Sequence, residues 1–144
     1  MELIIFVGLQ ASGKTTFYHT HFAATHQHIS KDLFPNNKNK DRRQTQLITE
    51  SLNEGKSVVV DNTNPTTIER APLIEIGKNY SCKIIGYYFN LPLNLCLERN
   101  SQRIGKAKVP EVGIYAKAKK LTPPSYSEGF HDLFVINTES PNCR

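Results

Sequence analysis

The fold of this 144-residue sequence is decided by Gly8-Leu9-Gln10-Ala11-Ser12-Gly13-Lys14-Thr15. This stretch matches the pattern G-x-x-x-x-G-K-[ST] in full, directly after an apolar run and directly before a helical pattern. In that context the glycines let backbone amides curl around phosphate groups, and the helix amino terminus adds positive partial charge. The motif therefore predicts a phosphate-binding loop, or P-loop, between a first strand and a first helix.

The side chains of the motif also predict its ligand. We expect Lys14 to reach the β- and γ-phosphate oxygens of ATP, and the Thr15 hydroxyl to bind Mg²⁺. A glycine-rich turn that binds nothing is the competing interpretation, but such a turn has no need of Lys followed by Thr. ATP and Mg²⁺ are therefore the predicted cofactors. The predicted nucleotide-binding residues in this part of the chain are Gly8, Ser12, Gly13, Lys14, Thr15 and Thr16.

Short apolar runs recur along the rest of the chain, with amphipathic stretches between them. They predict strands at residues 3–7, 28–30, 58–61, 83–89 and 133–136, and helices at residues 14–24, 41–54, 65–80, 92–102 and 111–121. This alternation predicts an α/β architecture, the P-loop NTPase fold, with a five-stranded parallel sheet and helices on both faces. Asn64 before Pro65 predicts the start of the third helix, with Asn64 as its cap.

Composition limits the class of protein. A chain of 144 residues that is 38% hydrophobic predicts one domain over residues 1–144. No window approaches the roughly 20 apolar residues that cross a bilayer, so no membrane contact is expected. Cys82, Cys96 and Cys143 are widely spaced and match no disulfide or zinc pattern, which favours a reducing, cytoplasmic location.

Two aspartates, Asp32 and Asp61, lie just after predicted strands. Ligands of open α/β sheets bind outside the carboxyl ends of the strands, so both are candidates for chemistry. Asp61 ends the run Val58-Val59-Val60-Asp61, a pattern that places a carboxylate near Mg²⁺, and Asp32 could accept a proton from an attacking hydroxyl. The alternatives are a turn and helix cap for Asp61 and an acid at a helix amino terminus for Asp32.

The formal charge of +5 is concentrated near the end of the chain, where seven Lys and Arg residues face two acids between Glu98 and Lys120. This concentration predicts a basic lid over approximately residues 97–120 and a polyanionic partner. Arg99 and Arg103 are four apart on a predicted helix, which places both guanidinium groups on one face for contact with phosphate oxygens. A solvated, Lys-rich helix face is the alternative.

These residues together resemble the kinase module of the 5′-hydroxyl polynucleotide kinases, over most of the chain. The resemblance implies that Asp32 is the general base for a terminal 5′-hydroxyl, that Arg103 with Arg99 holds the β- and γ-phosphates, and that Asp61, Asn62 and Thr63 line the acceptor site. The pieces that carry it, in family order, are the P-loop, Lys31-Asp32, Asp61-Asn62-Thr63-Asn64-Pro65, Arg99-Asn100-Ser101-Gln102-Arg103, Lys106-Ala107-Lys108-Val109-Pro110 and Glu128-Gly129-Phe130.

The chain also departs from that family. Viral members carry an Arg shortly after the general base, where this chain has Phe34-Pro35-Asn36, and Arg42 or Arg43 is the candidate replacement. Because the sequence ends soon after its last predicted strand, we expect separate proteins to carry out the phosphatase and ligase steps that often accompany this kinase. Tyr126 and Phe130 could either border the adenine or close the core.

The leading hypothesis is an ATP-dependent kinase that transfers the γ-phosphate of ATP to 5′-hydroxyl ends of RNA or DNA. One alternative is a P-loop kinase that phosphorylates a small molecule, such as a sugar, antibiotic or nucleoside. Another is a nucleotide-gated nucleic-acid-binding protein without transfer. Asp32 and the paired arginines disfavour that last alternative, because a protein that only binds has no need of a poised base. The five histidines are not assigned to the site.

Overall fold

A computed structural model of the protein describes residues 1–137, so Cys143 lies outside the described residues. The strands are β1 (Glu2–Gly8), β2 (His26–Ile29), β3 (Ser57–Val60), β4 (Lys83–Phe89) and β5 (Asp132–Ile136). The α-helices are α1 (Lys14–His21), α2 (Lys40–Asn53), α3 (Thr67–Asn79), α4 (Leu93–Ser101) and α5 (Glu111–Lys120). Single 3₁₀ turns lie at Lys31–Leu33, Gly105–Ala107 and Tyr126–Glu128.

The five strands form one sheet in the order β2-β3-β1-β4-β5, and every neighbouring pair is parallel. β1 is the central strand, and Leu3, Ile5, Phe6 and Val7 are fully buried because helices cover both faces of the sheet. The carboxyl ends of all five strands therefore meet at the same edge. The predicted five-stranded parallel sheet is confirmed.

Successive residues of β1 pack into different halves of the core, because side chains of a strand alternate between its faces. Leu3, Ile5 and Val7 pack with apolar side chains of α2 and α3. Ile4 and Phe6 pack on the opposite face with the aromatic residues of α1. A third, smaller cluster joins α4 and α5 to the P-loop through Leu9. The segment predicted as a basic lid, residues 97–120 and here called the basic region, therefore packs against that loop.

The third helix begins two residues later than predicted. Asn64 was expected to cap it, but Thr66 is the cap, and its hydroxyl accepts a hydrogen bond from the backbone N–H of Glu69 at 3.1 Å. Asn64 is buried with φ of 42°, and its amide donates to the carbonyl of Phe6 at 2.8 Å. The cap prediction was wrong because the Asn64 side chain ties its own turn to β1.

A buried ion pair holds that turn against the end of the chain. Arg70 on α3 is fully buried, and its Nε and Nη2 donate to the two carboxylate oxygens of Glu128 at 2.8 and 3.1 Å. Its Nη1 donates to the carbonyl of Asn64 at 2.9 Å. One guanidinium therefore connects α3, the turn after β3 and the segment before β5.

We expect Arg70→Met to lower the free energy of unfolding by about 3–5 kcal/mol, because it leaves the Glu128 carboxylate buried without its partner. The double variant Arg70→Met/Glu128→Gln should lose less than Arg70→Met alone, since the uncompensated charge is removed. Urea unfolding measures both. Lys56→Met, which breaks an exposed pair with Glu54, is the control and should leave the midpoint unchanged. Equal losses in the single and double variants would contradict the expectation.

Candidate phosphate-binding and transfer site

A cavity of about 1140 Å³ opens at the carboxyl edge of the sheet. It is bounded by the P-loop, the ends of β2 and β3, the first turns of α2 and α3, and the basic region between α4 and α5. Most of the residues singled out from the sequence line it together, namely Gly13, Lys14, Thr15, Thr16, Asp32, Asp61, Asn62, Thr63 and Arg103. Gly8, Ser12 and Arg99 are not among the residues that line it.

The P-loop wraps closely around the Lys14 side chain. The Lys14 ammonium donates to the carbonyl oxygens of Gly8 at 3.1 Å and Leu9 at 2.7 Å. A Cβ at Gly8 would come within 2.9 Å of Phe89 and of the Ser12 hydroxyl, so this position needs glycine. Gly13 has φ of 97°, a left-handed conformation that glycine adopts without strain. Gly8 and Ser12 thus contribute to the shape of the loop although they do not line the cavity.

Burial is the main influence on the charge of Lys14. It lowers the pKa of the ammonium from 10.5 to about 8, although the nearby Asp61 and Asp32 carboxylates act in the opposite direction. A bound triphosphate would add negative charge beside the same ammonium and favour its protonated form. Protonation of Lys14 and phosphate binding are therefore coupled.

This coupling predicts that ATP binding takes up protons near and above pH 8. Below that pH Lys14 is already protonated, so affinity should be nearly flat. Above it Lys14 must regain a proton, and affinity should fall by up to about tenfold per pH unit. Calorimetric titration with ATP in buffers of different ionisation enthalpy measures the uptake. Lys14→Arg, which keeps its charge, should show no such uptake, and equal uptake in both proteins would contradict the assignment.

Asp61 and Thr15, the two predicted Mg²⁺ ligands, are in direct contact. The Asp61 carboxylate is buried, and its Oδ2 accepts hydrogen bonds from the Thr15 hydroxyl at 2.8 Å and from His28 Nε2 at 2.8 Å. A carboxylate only accepts, so this contact assigns the proton of the imidazole to Nε2. The His28 ring stacks on Tyr18 with centroids 4.1 Å apart. Sequence analysis missed His28, because only the pairing of β2 with β3 brings it to Asp61.

Carboxylate and hydroxyl oxygens are donors that suit Mg²⁺. Among residues 1–137, no group of three or more His, Cys, Asp or Glu residues is arranged to hold a metal ion. Mg²⁺ usually keeps several waters and binds through one or two protein oxygens plus phosphates of the substrate. Thr15 and Asp61 fit that mode of binding, in which the nucleotide supplies the remaining ligands.

Asp32 lies on the 3₁₀ turn that follows β2, and it lines the cavity. The backbone N–H of Asp32 donates a hydrogen bond to the Ser30 hydroxyl at 3.3 Å. Its carboxylate acts to raise the pKa of Lys14, and both residues line the cavity. Asp32 is therefore placed to reach a ligand held by the P-loop.

Arg99 and Arg103 were predicted to share one helix face, and this prediction was wrong. α4 ends at Ser101, and Arg103 lies beyond it, where its guanidinium donates to the carbonyl of Ala107 at 3.1 Å. Arg103 lines the cavity, whereas Arg99 remains on α4. Asn100 explains this geometry, because its buried amide bonds to both the N–H and the carbonyl of Val109 and folds the intervening loop back.

The structure also bears on two alternatives that the sequence left open. Neither Arg42 nor Arg43 lines the cavity, and Arg43 bonds instead to Gln46 on its own helix. Lys31 and Lys40, on the 3₁₀ turn after β2 and at the start of α2, line the cavity instead. Phe130 is 5% exposed and closes the core, while Tyr126 is 61% exposed and outside the cavity. Neither aromatic residue borders the site.

Comparison with known proteins agrees with this geometry. The chain belongs to the family described as "AAA domain", whose profile matches residues 3–124. It is 27% identical over 136 residues to a bifunctional polynucleotide phosphatase/kinase of Schizosaccharomyces pombe, covering 92% of this chain and 32% of that protein. A putative protein of the same name from Acanthamoeba polyphaga mimivirus is 32% identical over 146 residues, covering 94% and 33%. The chain spans between 16% and 36% of the length of the curated relatives.

Solved structures share the fold. Kti12 of Chaetomium thermophilum, in complex with ADP-AlF3, superposes with a TM-score of 0.77 at 16% identity, covering 98% of this chain and 92% of that one. A fungal RNA kinase gives 0.69 at 18% identity, covering 94% and 74%. A gluconokinase of Sinorhizobium meliloti gives 0.68 at 18% identity, covering 97% and 84%.

Fold and site together are those of a P-loop kinase domain, and the solved structures that share this fold include a gluconokinase and an RNA kinase. The resemblance to the kinase module of polynucleotide kinases is confirmed at the level of family and relatives. No helix within residues 1–137 has the length and apolar character required to cross a membrane. The single-domain extent and the cytoplasmic location stay predictions.

Proposed function

We propose that this domain transfers the γ-phosphate of ATP to the 5′-hydroxyl end of RNA or DNA. The observation that supports the proposal is a single cavity whose lining includes the P-loop Lys14, the Asp61–Thr15 pair, the Asp32 carboxylate and the Arg103 guanidinium. Donor phosphates and an acceptor hydroxyl can thus meet between a phosphate cradle and a free carboxylate. Phosphoryl transfer depends mainly on such positioning and on charge stabilisation.

The chemistry follows from these residues. Asp32 accepts the proton of the acceptor hydroxyl as the hydroxyl oxygen forms its bond to the γ-phosphorus. The bond from the γ-phosphorus to the bridging oxygen breaks, and ADP leaves with that oxygen. Lys14 and Arg103 stabilise the negative charge on the phosphoryl oxygens. Thr15 and Asp61 would hold Mg²⁺, which when bound would help to neutralise the charge of the nucleotide phosphates.

Two features favour a polynucleotide as the acceptor. The cavity of about 1140 Å³ exceeds the usual range of about 300–1,000 Å³ for small-molecule sites. Lys31 and Lys40 line the wall formed by the 3₁₀ turn after β2, the start of α2 and the turn after β3, here called the acceptor wall. Lys106 and Lys117, which belong to the basic region, line another wall. A chain of phosphates would meet positive charge on both sides. The named activity of the two polynucleotide phosphatase/kinase relatives supports the same substrate class.

A small-molecule acceptor is the second candidate. The acceptor wall also carries the neutral side chains of Gln44, Thr45, Asn62 and Thr63, which offer hydrogen bonds of the kind that recognise hydroxyl groups. The fold is shared with a gluconokinase. A sugar or nucleoside would use these groups and would have little need of the lysines.

Transfer of labelled γ-phosphate from ATP to 5′-hydroxyl oligonucleotides, beside a panel of sugars and nucleosides, distinguishes the candidates. Asp32→Asn should reduce transfer at least about a hundredfold while ATP binding is retained, because the base is lost and the cradle is intact. Labelled sugar or nucleoside with no labelled oligonucleotide would transfer the assignment to the second candidate. Undiminished transfer by Asp32→Asn would remove Asp32 from the mechanism.

Salt dependence tests the lysine wall. The KM for an oligonucleotide should rise with salt, because binding releases counterions from the phosphates that lysines neutralise. Lys40→Met should reduce the slope of log KM against log salt by about 0.7, the value for one phosphate of a single strand. Arg43→Met, one turn further along α2 and outside the cavity, is the matched control and should leave the slope unchanged. Equal slopes in all three proteins would argue against a phosphate contact at Lys40.

A further inference from the structure

The side chain of Asn62 lies where β2 and β3 separate. The two strands pair in parallel up to Ile29 and Val60, and the N–H of Asp61 extends the ladder by donating to the carbonyl of Ile29 at 2.7 Å. Beyond that bond β2 turns away into the 3₁₀ turn that carries Asp32. Asn62 Oδ1 accepts a hydrogen bond from the backbone N–H of Lys31 at 2.9 Å. The side chain therefore continues the connection where the backbone ladder has ended.

The other end of the same amide reaches α2. Asn62 Nδ2 donates to Gln44 Oε1 at 2.6 Å, and Gln44 is 5% exposed. The orientation of both amides follows from chemistry: the Lys31 N–H can only donate, so it faces Oδ1, and the NH₂ group of Asn62 then faces an oxygen of Gln44. Asn62 thus joins β3, the turn carrying Asp32 and α2 through two directed hydrogen bonds.

Two more contacts hold the same turn. The buried hydroxyl of Ser30 accepts from the Asp32 N–H, and the Lys31 ammonium pairs with the Asp41 carboxylate on α2. All of these contacts use groups other than the Asp32 carboxylate, which is left to face the cavity. The backbone on both sides of that carboxylate is therefore restrained while its oxygens remain accessible.

We propose that Asn62 and Gln44 act as a positioning pair that fixes Asp32 for proton acceptance, and that Asn62 is not primarily a substrate contact. The inference rests on the proposed function, because it requires Asp32 to take the proton of the acceptor hydroxyl. A general base must lie within about 2.6–3.2 Å of the hydroxyl oxygen, and a displacement of about 1 Å costs about a hundredfold in rate. Loss of the pair should therefore affect kcat and leave binding of both substrates intact.

The experiment measures kcat and both KM values for Asn62→Leu, Gln44→Met and the double variant, with 5′-hydroxyl oligonucleotide as acceptor. Rates are normalised to the fraction of protein that binds nucleotide, so that misfolded material does not contribute. Each single variant should lower kcat about tenfold to a hundredfold while the KM values for ATP and acceptor stay within about threefold. The double variant should be no slower than Asn62→Leu, since both changes break the same connection.

Two further variants separate positioning from a general effect on the helix. Gln44→Glu keeps an oxygen that can accept from Asn62 Nδ2, and its kcat should exceed that of Gln44→Met. Gln46→Met makes the same substitution as Gln44→Met at an exposed position of α2, and it should behave as the unchanged protein. If Asn62→Leu does not fold, the comparison of Gln44→Met with Gln44→Glu and Gln46→Met decides the question alone.

A rise in acceptor KM at unchanged kcat would overturn the inference and make Asn62 a substrate contact. So would a kcat for Gln44→Met equal to that of Gln46→Met. Asp32→Asn in the same series distinguishes this failure from failure of the proposed function. Loss of transfer in Asp32→Asn with normal kcat in the Asn62 and Gln44 variants removes only the positioning pair, whereas normal transfer in Asp32→Asn removes the proposed base itself.

Discussion

The parallel pairing of β1 between β3 and β4 is the constraint on which the site depends. Because the strands run in one direction, the P-loop after β1 and the acidic turn after β3 emerge at the same edge of the sheet. The N–H of Gly8 donates to the carbonyl of Thr63 at 3.1 Å, so the two segments are also bonded to each other. The phosphate cradle and the Asp61 carboxylate thus come together at the ends of neighbouring strands.

The four residues of the turn after β3 each have a different role. Asp61 accepts hydrogen bonds from Thr15 and His28, and Asn62 connects the turn that carries Asp32 to α2. Thr63 bonds to the P-loop through its carbonyl, and Asn64 bonds to β1 through its side chain. A short polar segment therefore fixes the relative positions of the P-loop, the Asp61 carboxylate and the turn that carries Asp32. Its polar side chains are needed because three chain segments meet there and few backbone groups can pair.

Sequence patterns predicted the strands, and most of the site residues that they singled out do line the cavity, for identifiable reasons. Strands buried on both faces are continuous apolar runs, and the P-loop requires particular residues at particular spacings. Helix boundaries were predicted less well where a buried side chain decides them. Asn64 resembles a helix cap in sequence but bonds to the carbonyl of Phe6. Asn100, near the end of α4, bonds to Val109 and holds the loop that carries Arg103, so Arg103 lies beyond the helix that carries Arg99.

By itself the sequence determined the parallel α/β fold, the phosphate cradle and the two aspartates, because each depends on local spacing or on the burial of a single run. Tertiary structure alone decided which groups surround those residues. His28 lies beside Asp61 and Gln44 beside Asn62, and each comes from an element distant in the chain from its partner. Such contacts depend on strand register and helix packing. They therefore cannot be predicted from the residues that precede and follow each side chain in the sequence.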